Sequence, residues 1–263
     1  MKNPSLSAES LAGRGIVITR PAHQTGSLAE SVTAAGGRVI LFPVIEIVDP
    51  LDLAPFNAVI DRLQEFDFAI FISPNAVNKA MHFISARRAL PAGLRIAAVG
   101  RASVNALRAR GVADVIAPAE SFDSETLLAL PALRDVAGKR VVVFRGVGGR
   151  ELLGDTLIAR GAQVAYAECY RRIRPLLDPA PLLGAWACGE VDAVVITSSE
   201  GLNNFLEMIG KAGESRLTAT PVFVPHPRIA ETARLRGLSK VVTAAAGNEG
   251  MIAALCAYFA SCG

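Results

Sequence analysis

Cysteine is scarce in this chain: Cys169, Cys188, Cys256 and Cys262 are the four among 263 residues, and no CxxC pair occurs. That excludes a disulfide scaffold and a zinc ribbon. The thiols are expected to be reduced, and most of them packed as small hydrophobes. The three histidines, His23, His82 and His226, have no metal-like spacing beside them, so no metal site is expected. No apolar run reaches the roughly 18 residues of a membrane span. Residues 1–12 lack the apolar core of a signal peptide, and a cytoplasmic protein is expected. Charge is also sparse, at 19% of residues with a net +3. No Lys/Arg run carries interleaved aromatics, which excludes a nucleic-acid surface. A mild positive balance is compatible with a small anionic ligand if the cations are focused in a cleft.

Hydrophobic residues make up 51% of the chain and aromatics only 6%. Alanine, valine, isoleucine and leucine must therefore build the interior, as in parallel sheets covered on both faces. Short apolar runs predict strands at Ile16–Thr19, Val39–Phe42, Phe68–Ile72, Ile96–Val99 and Val115–Ile116. Further runs predict strands at Val141–Phe144, Val164–Tyr166, Val194–Thr197, Val222–Val224 and Val241–Thr243. Amphipathic stretches between them predict helices at Gln24–Ala35, Asn75–Ser85, Ala102–Arg110 and Ser124–Ala129. Alternating strand and helix predicts an α/β fold with parallel sheets.

The ten strands form two sets of five. Gly13-Arg14-Gly15-Ile16-Val17-Ile18-Thr19-Arg20 is matched by Gly138-Lys139-Arg140-Val141-Val142-Val143-Phe144-Arg145, an offset of 125. The same offset recurs from Asp67 to Asp192, from Ser73 to Ser198 and from Val99 to Val224. A repeat this long is a duplicated domain. Two similar flavodoxin-like parallel-sheet domains are expected, with a ligand cleft between them at the carboxyl ends of the strands. One domain cut falls between the copies, near Pro131–Ala137. Another is equally compatible with the periodicity. The extended stretches Val44–Val48 and Glu168–Ile173, each followed by proline, pair as a two-stranded linker ladder. Each domain then takes two strands from one copy and three from the other.

Turn chemistry marks candidate site residues. Gly36-Gly37 and Gly161 suit helix C-caps, and Ser73-Pro74 places a capping hydroxyl before proline at the first helical position. Ser121 and Ser124 are placed at the start of the fifth helix. Arg20 and Arg145 follow the first strand of each copy, where either closes the turn or pairs with a ligand carboxylate. Ser73 and Asn75, with Ser198 and Ser199, open the third helix of each copy and serve as caps, as donors to an anion, or both. Gly146-Val147-Gly148-Gly149 is a close strand-to-helix turn without the spacing of a nucleotide phosphate loop. His82 is expected to be packed, and Cys169 has no neighbour that would activate a thiolate.

Over nearly its whole length the chain resembles the uroporphyrinogen-III synthases. The resemblance is carried by Ile18-Thr19-Arg20-Pro21, Phe71-Ile72-Ser73-Pro74-Asn75-Ala76-Val77 and Ala98-Val99-Gly100. It continues through Arg145-Gly146-Val147-Gly148-Gly149-Arg150-Glu151-Leu152, Glu168-Cys169-Tyr170-Arg171-Arg172 and Ile196-Thr197-Ser198-Ser199-Glu200-Gly201-Leu202. It implies the crossed arrangement, with residues 1–44 plus 174–263 in one domain, 48–168 in the other, and 44–48 and 168–173 as linkers. It also implies a cofactor-free, metal-free, monomeric enzyme. The implied reaction dehydrates and cyclises hydroxymethylbilane with inversion of its terminal pyrrole. Tyr170 matches the family's active-site tyrosine. The substrate contacts implied are Arg20, Ser73, Asn75, Gly100, Ser103, Arg145, Gly146, Ser198 and Ser199. Where the first copy has Gly100, Arg101 and Ser103, the second has Pro225, His226, Pro227 and Arg228, and proline removes a backbone donor. A non-catalytic two-lobed binding protein for a small anion is the competing reading.

Overall fold

Strand and helix alternate, except where two strands follow each other within residues 38–48 and two helices within residues 101–129, in the computed structural model, which describes residues 10–119, 123–149 and 151–261. The strands are β1 (Gly15–Ile18), β2 (Arg38–Leu41), β3 (Glu46–Val48), β4 (Phe68–Phe71), β5 (Arg95–Ala98), β6 (Arg140–Gly146), β7 (Gln163–Ile173), β8 (Ala193–Val195), β9 (Val222–Val224) and β10 (Val241–Thr243). In the first half the helices are α1 (Gly26–Ala34), α2 (Ala54–Asp61), α3 (Pro74–Ser85), α4 (Arg101–Arg108) and α5 (Ser124–Ala129). In the second they are α6 (Leu152–Ala159), α7 (Ala180–Ala187), α8 (Ser199–Ala219), α9 (Pro227–Leu235) and α10 (Gly247–Ser261). α8 is interrupted at Gly210, whose φ of +58° is non-helical. None of the described helices is long and apolar enough to cross a membrane.

The chain divides into two compact units, Met1–Glu46 with Ile173–Gly263, and Ile47–Arg172. In the first unit the strand order is β10-β9-β8-β1-β2, all parallel. In the second it is β3-β7-β6-β4-β5, with β7, β6, β4 and β5 parallel. The first sheet thus takes β1 and β2 from one copy of the repeat and β8, β9 and β10 from the other. Of the stretches expected to act as linkers, Val44 still bonds to the first unit, its N–H donating to Thr19 O at 3.1 Å. Residues 168–173 are the second half of one eleven-residue strand, β7, and β3 lies beside it. The expected strand at Val115–Ile116 is reduced to a single bridge between Ile116 and Ala97.

Strict alternation within uniformly apolar strands explains the layered cores. In the second unit, Ala69, Phe71, Val142 and Phe144 join one cluster with Phe56, Ile60, Val77 and Leu107. Phe68, Ile70, Val141 and Val143 join another with Leu127, Leu153 and Leu157. Successive side chains point to opposite faces, so each face is covered by its own helices. Phe71 and Phe144 stack at 4.8 Å between centroids, and Phe56 meets Phe144 edge-on. Each such ring contributes roughly 1.5–3 kcal/mol on burial.

The register of the repeat has a physical counterpart at the amino edge of each sheet. Asp192 accepts from the Gly15 N–H at 2.8 Å and pairs with Arg14. Its equivalent, Asp67, accepts from the Arg140 N–H at 2.8 Å and pairs with Lys139. One aspartate therefore clamps the first strand to its neighbour in each unit. At the helix ends, Gly36 and Gly161 take φ of +83° and +84°, as C-terminal glycines do. Asp123 caps α5 by accepting from the Thr126 N–H at 2.7 Å. Ser124 is the first helical residue, and Ser121 lies outside the described residues.

Candidate active site

At the carboxyl edge of the second sheet, β4 runs into the start of α3 at Ser73, whose backbone is extended. Proline at position 74 suits the first helical position, and the Ser73 hydroxyl accepts from the Ala76 N–H at 3.1 Å. The same Oγ lies 3.1 Å from the Tyr170 hydroxyl. Tyr170 reaches it because the β6–β7 register shifts between Arg145 and Gly146. Arg145 pairs with Glu168, whereas Gly146 pairs with Tyr170, so Cys169 is the extra residue of a bulge. Bulges re-aim side chains. The Val147 N–H donates to Tyr170 O at 2.8 Å and closes the bulge. Tyr170 is only 4% exposed. Its ring lies on the bare backbone of Gly146, where a Cβ would come within 2.7 Å of two ring carbons.

Cys169 points into the core, with Sγ 3.4 Å from Arg145 O. Burial pushes its thiol up to about 12, so it is a packing residue without thiolate character. Cys188 is exposed and Cys256 is buried; Cys262 and Arg150 lie outside the described residues.

Arg145 is 8% exposed and is held by the protein itself. Its guanidinium lies over the Tyr166 ring at 3.8 Å, donates to Glu168 Oε1 at 3.1 Å and to Gly149 O at 3.3 Å. The arginine thus closes the Gly146–Gly149 turn. Only its Nε is buried without a partner. Tyr166 in turn packs against Gly154 of α6, where a Cβ would sit 1.8 Å from the phenolic oxygen. Burial raises the Tyr166 phenol above its ordinary range.

Asn75 is half-buried in the first turn of α3. Gly100 is the extended residue before α4. Ser103, in the first turn of α4, is 1% exposed, and its Oγ has no hydrogen-bond partner. Ser73, Asn75, Gly100, Ser103, Arg145, Gly146 and Tyr170 thus all lie at or just beyond the carboxyl ends of β4, β5 and β6.

The first unit repeats part of this pattern. Ser198 caps α8, accepting from the Gly201 N–H at 2.9 Å, as its equivalent Ser73 does with Ala76. Ser199 Oγ is 3.4 Å from Thr232 Oγ1. Arg20, just past β1, donates to Asn248 Oδ1 at 2.6 Å. Burial lowers its guanidinium pKa. His226 caps α9 with its own ring, Nδ1 accepting from the Arg228 N–H at 3.1 Å. That cap occupies the Arg228 N–H, so with Pro227 at the first helical position it leaves this helix start fewer free backbone donors.

His82 is a correction: it is exposed on α3 rather than packed, with its ring edge-on to Phe83. The apolar pattern of Met81, Phe83 and Ile84 around it hid a solvent-facing position. Sequence reading assigned no role to Asn248 or Glu168. Asn248 carried one usable signal, a Gly-Asn pair just beyond an apolar run that opens a helix. Among the described residues, no group of three His, Cys, Asp or Glu is arranged to hold a metal ion.

Comparison with known proteins gives a consistent picture. A family model described as uroporphyrinogen-III synthase HemD matches residues 26–253. The chain is 35% identical to a uroporphyrinogen-III synthase of Salmonella typhimurium over 91% of its length and 99% of that protein. It is 34% identical to the Escherichia coli uroporphyrinogen-III synthase over the same shares. In fold it is similar to a mutant uroporphyrinogen III synthase from Thermus thermophilus, with a TM-score of 0.61 at 19% identity, covering 95% of this chain and 98% of that one.

Proposed function

This chain belongs to the uroporphyrinogen-III synthase family, and from that premise we propose that it is a lyase of tetrapyrrole biosynthesis. It dehydrates hydroxymethylbilane, inverts the terminal pyrrole ring and closes the macrocycle to uroporphyrinogen III. The observation that carries this reading is the family match over most of the chain. The Tyr170–Ser73 pair supports it as the source of a positioned hydroxyl.

The bilane is a flexible polyanion that loses water and closes unaided to the uninverted isomer. The protein's task is therefore orientation, which converts binding into rate and product choice. The helix starts at Ser73, Asn75, Gly100, Ser103, Ser198 and Ser199 offer hydroxyl and backbone donors to its carboxylates. Arg20 adds a cation, while Arg145 and Gly146 shape the turn on which Tyr170 rests. The Tyr170 phenol exchanges its Ser73 contact for the departing hydroxyl and lends it a proton, so that the C–O bond breaks and water leaves. The closing pyrrole later loses its own proton, which restores the phenol. The net change is loss of one water.

The finer architecture belongs to the same proposal. Each sheet is flavodoxin-like, the β3–β7 region is the linker ladder, and the crossed domains run over residues 1–44 plus 174–263 and 48–168. The protein acts as a cytoplasmic monomer. A turnover experiment tests the enzymatic reading. Excess hydroxymethylbilane should be converted to the inverted isomer over many cycles per protein molecule. Stoichiometric sequestration without turnover would instead indicate a binding protein.

A further inference from the structure

The repeat supplies two equivalent arginines, and the structure treats them differently. Arg145 is neutralised from within. Glu168 accepts from its guanidinium at 3.1 Å, and the Tyr166 ring covers it. The residue equivalent to Glu168 in the first copy, 125 positions earlier, is Pro43. No carboxylate is available there, and among the described residues Arg20 has no ion-pair partner. Its bond is to a neutral acceptor, Asn248 Oδ1, at 2.6 Å. The amide is itself oriented, because Asn248 Nδ2 donates to Ser27 Oγ at 2.5 Å. Ser27 is in the first turn of α1 and Asn248 in the first turn of α10. An arginine half-buried at a strand end is thus held in one direction by a side chain that cancels none of its charge. Burial lowers its pKa with no opposing contribution from a nearby carboxylate. A half-buried cation without a counter-charge is stabilised by an anion that arrives from outside.

We infer that Asn248 is a positioning residue for Arg20, aiming an uncompensated guanidinium at a carboxylate of the substrate. Arg145, its counterpart, has become part of the scaffold. The inference rests on the reading above in which Arg20 meets a substrate carboxylate. Its specific content is the neutrality of position 248. An aspartate there would accept the same hydrogen bond but supply the missing counter-charge. The cation would then be occupied before substrate arrived.

Steady-state kinetics of the full chain with hydroxymethylbilane, measured across ionic strength, test this with Arg20→Gln, Asn248→Asp, Asn248→Ala and the double variant Arg20→Gln/Asn248→Asp. Thermal unfolding of each variant confirms that it folds. Asn248→Asp is isosteric, and the Ser27 hydroxyl can turn to donate to it. Losing one charge-assisted bond to substrate costs about tenfold or more in affinity. Asn248→Asp should therefore raise KM by about tenfold, change kcat less, and flatten the rise of KM with salt that the wild type shows. Asn248→Ala should raise KM by a smaller factor and keep the salt dependence, since the cation survives unaimed. The double variant should be no worse than Arg20→Gln alone. Wild-type KM in Arg20→Gln would overturn the reading of Arg20 as a substrate contact. A raised KM in Arg20→Gln with wild-type KM and salt dependence in Asn248→Asp would leave that contact standing and overturn the role of Asn248. Equal effects of Asn248→Asp and Asn248→Ala, without a change in salt dependence, would also overturn it, since charge would then be irrelevant at this position.

Discussion

Gly146→Ala tests the construction of the active site more sharply than deleting any polar group. A Cβ at position 146 would lie 2.7 Å from Cε2 and Cζ of Tyr170 and 3.1 Å from its hydroxyl oxygen. Carbon atoms settle at about 3.5 Å or more, so the ring must retreat by roughly 0.8 Å. The Tyr170 backbone cannot follow freely, because its carbonyl accepts from the Val147 N–H at 2.8 Å. The movement must come from side-chain rotation, which carries the phenol away from Ser73. A bond now at 3.1 Å would then pass beyond hydrogen-bonding range. Overpacking of this kind costs about 1–3 kcal/mol, equivalent to several degrees in midpoint for a protein of this size. Thermal unfolding should show that loss, and turnover should fall with it as the phenol is misplaced. The stability loss should vanish in a Tyr170→Ala background, where the alanine methyl has room, which a double-mutant cycle measures directly. A Gly146→Ala protein with wild-type midpoint and turnover would refute the packing of Tyr170 on Gly146.

Tyr170→Phe keeps the ring and should fold normally, but loss of one positioned proton donor should slow turnover by about 10²–10⁴-fold, measured as formation of the inverted isomer. Gly15→Ala should be severely destabilising in a denaturant titration, because its Cβ would sit 1.8 Å from the backbone oxygen of Glu190, which cannot swing aside. Acid should weaken the second unit. Glu65 is held near 2, chiefly by its hydrogen bond from Arg62, and Asp67 is held low chiefly by the Arg140 N–H. Carboxylates depressed in the folded state add stability above their unfolded values of about 4. That stability is lost as pH falls through the folded values. Asp67→Asn should therefore flatten the decline of stability as pH falls below about 4, as followed by circular dichroism. Under native conditions iodoacetamide should label exposed Cys188 and leave Cys169 unmodified, given a thiol pushed up to about 12.

Much of this molecule was legible because its strands are uniformly apolar and its turns carry glycine, proline and serine in meaningful places. The strand at Val222–Val224 and the helix at Ser124–Ala129 were delimited by composition alone. The offset of 125 carried through to hydrogen bonds, since Ser73 and Ser198 cap onto equivalent amides. Features that depend on a partner strand were not legible. The bulge at Cys169 is a property of the β6–β7 register, and nothing in Glu168-Cys169-Tyr170 announces it. The polar residues Glu168, Arg171 and Arg172 concealed that β7 is one continuous strand. Val115–Ile116 looked like a strand, but among the described residues it makes a single bridge, to Ala97. Arg20 and Arg145 looked interchangeable from position. Only the neighbours across the fold, Asn248 for one and Glu168 with Tyr166 for the other, separate them.

The identity of the macrocycle made by this protein tests the central claim most directly. Hydroxymethylbilane is supplied at a rate that spontaneous closure can match, the products are oxidised to porphyrins, and the isomers are separated. The account predicts that added protein diverts product to the inverted isomer, uroporphyrin III, in proportion to its concentration. An isomer composition unchanged from spontaneous closure, with uroporphyrin I alone, would contradict it.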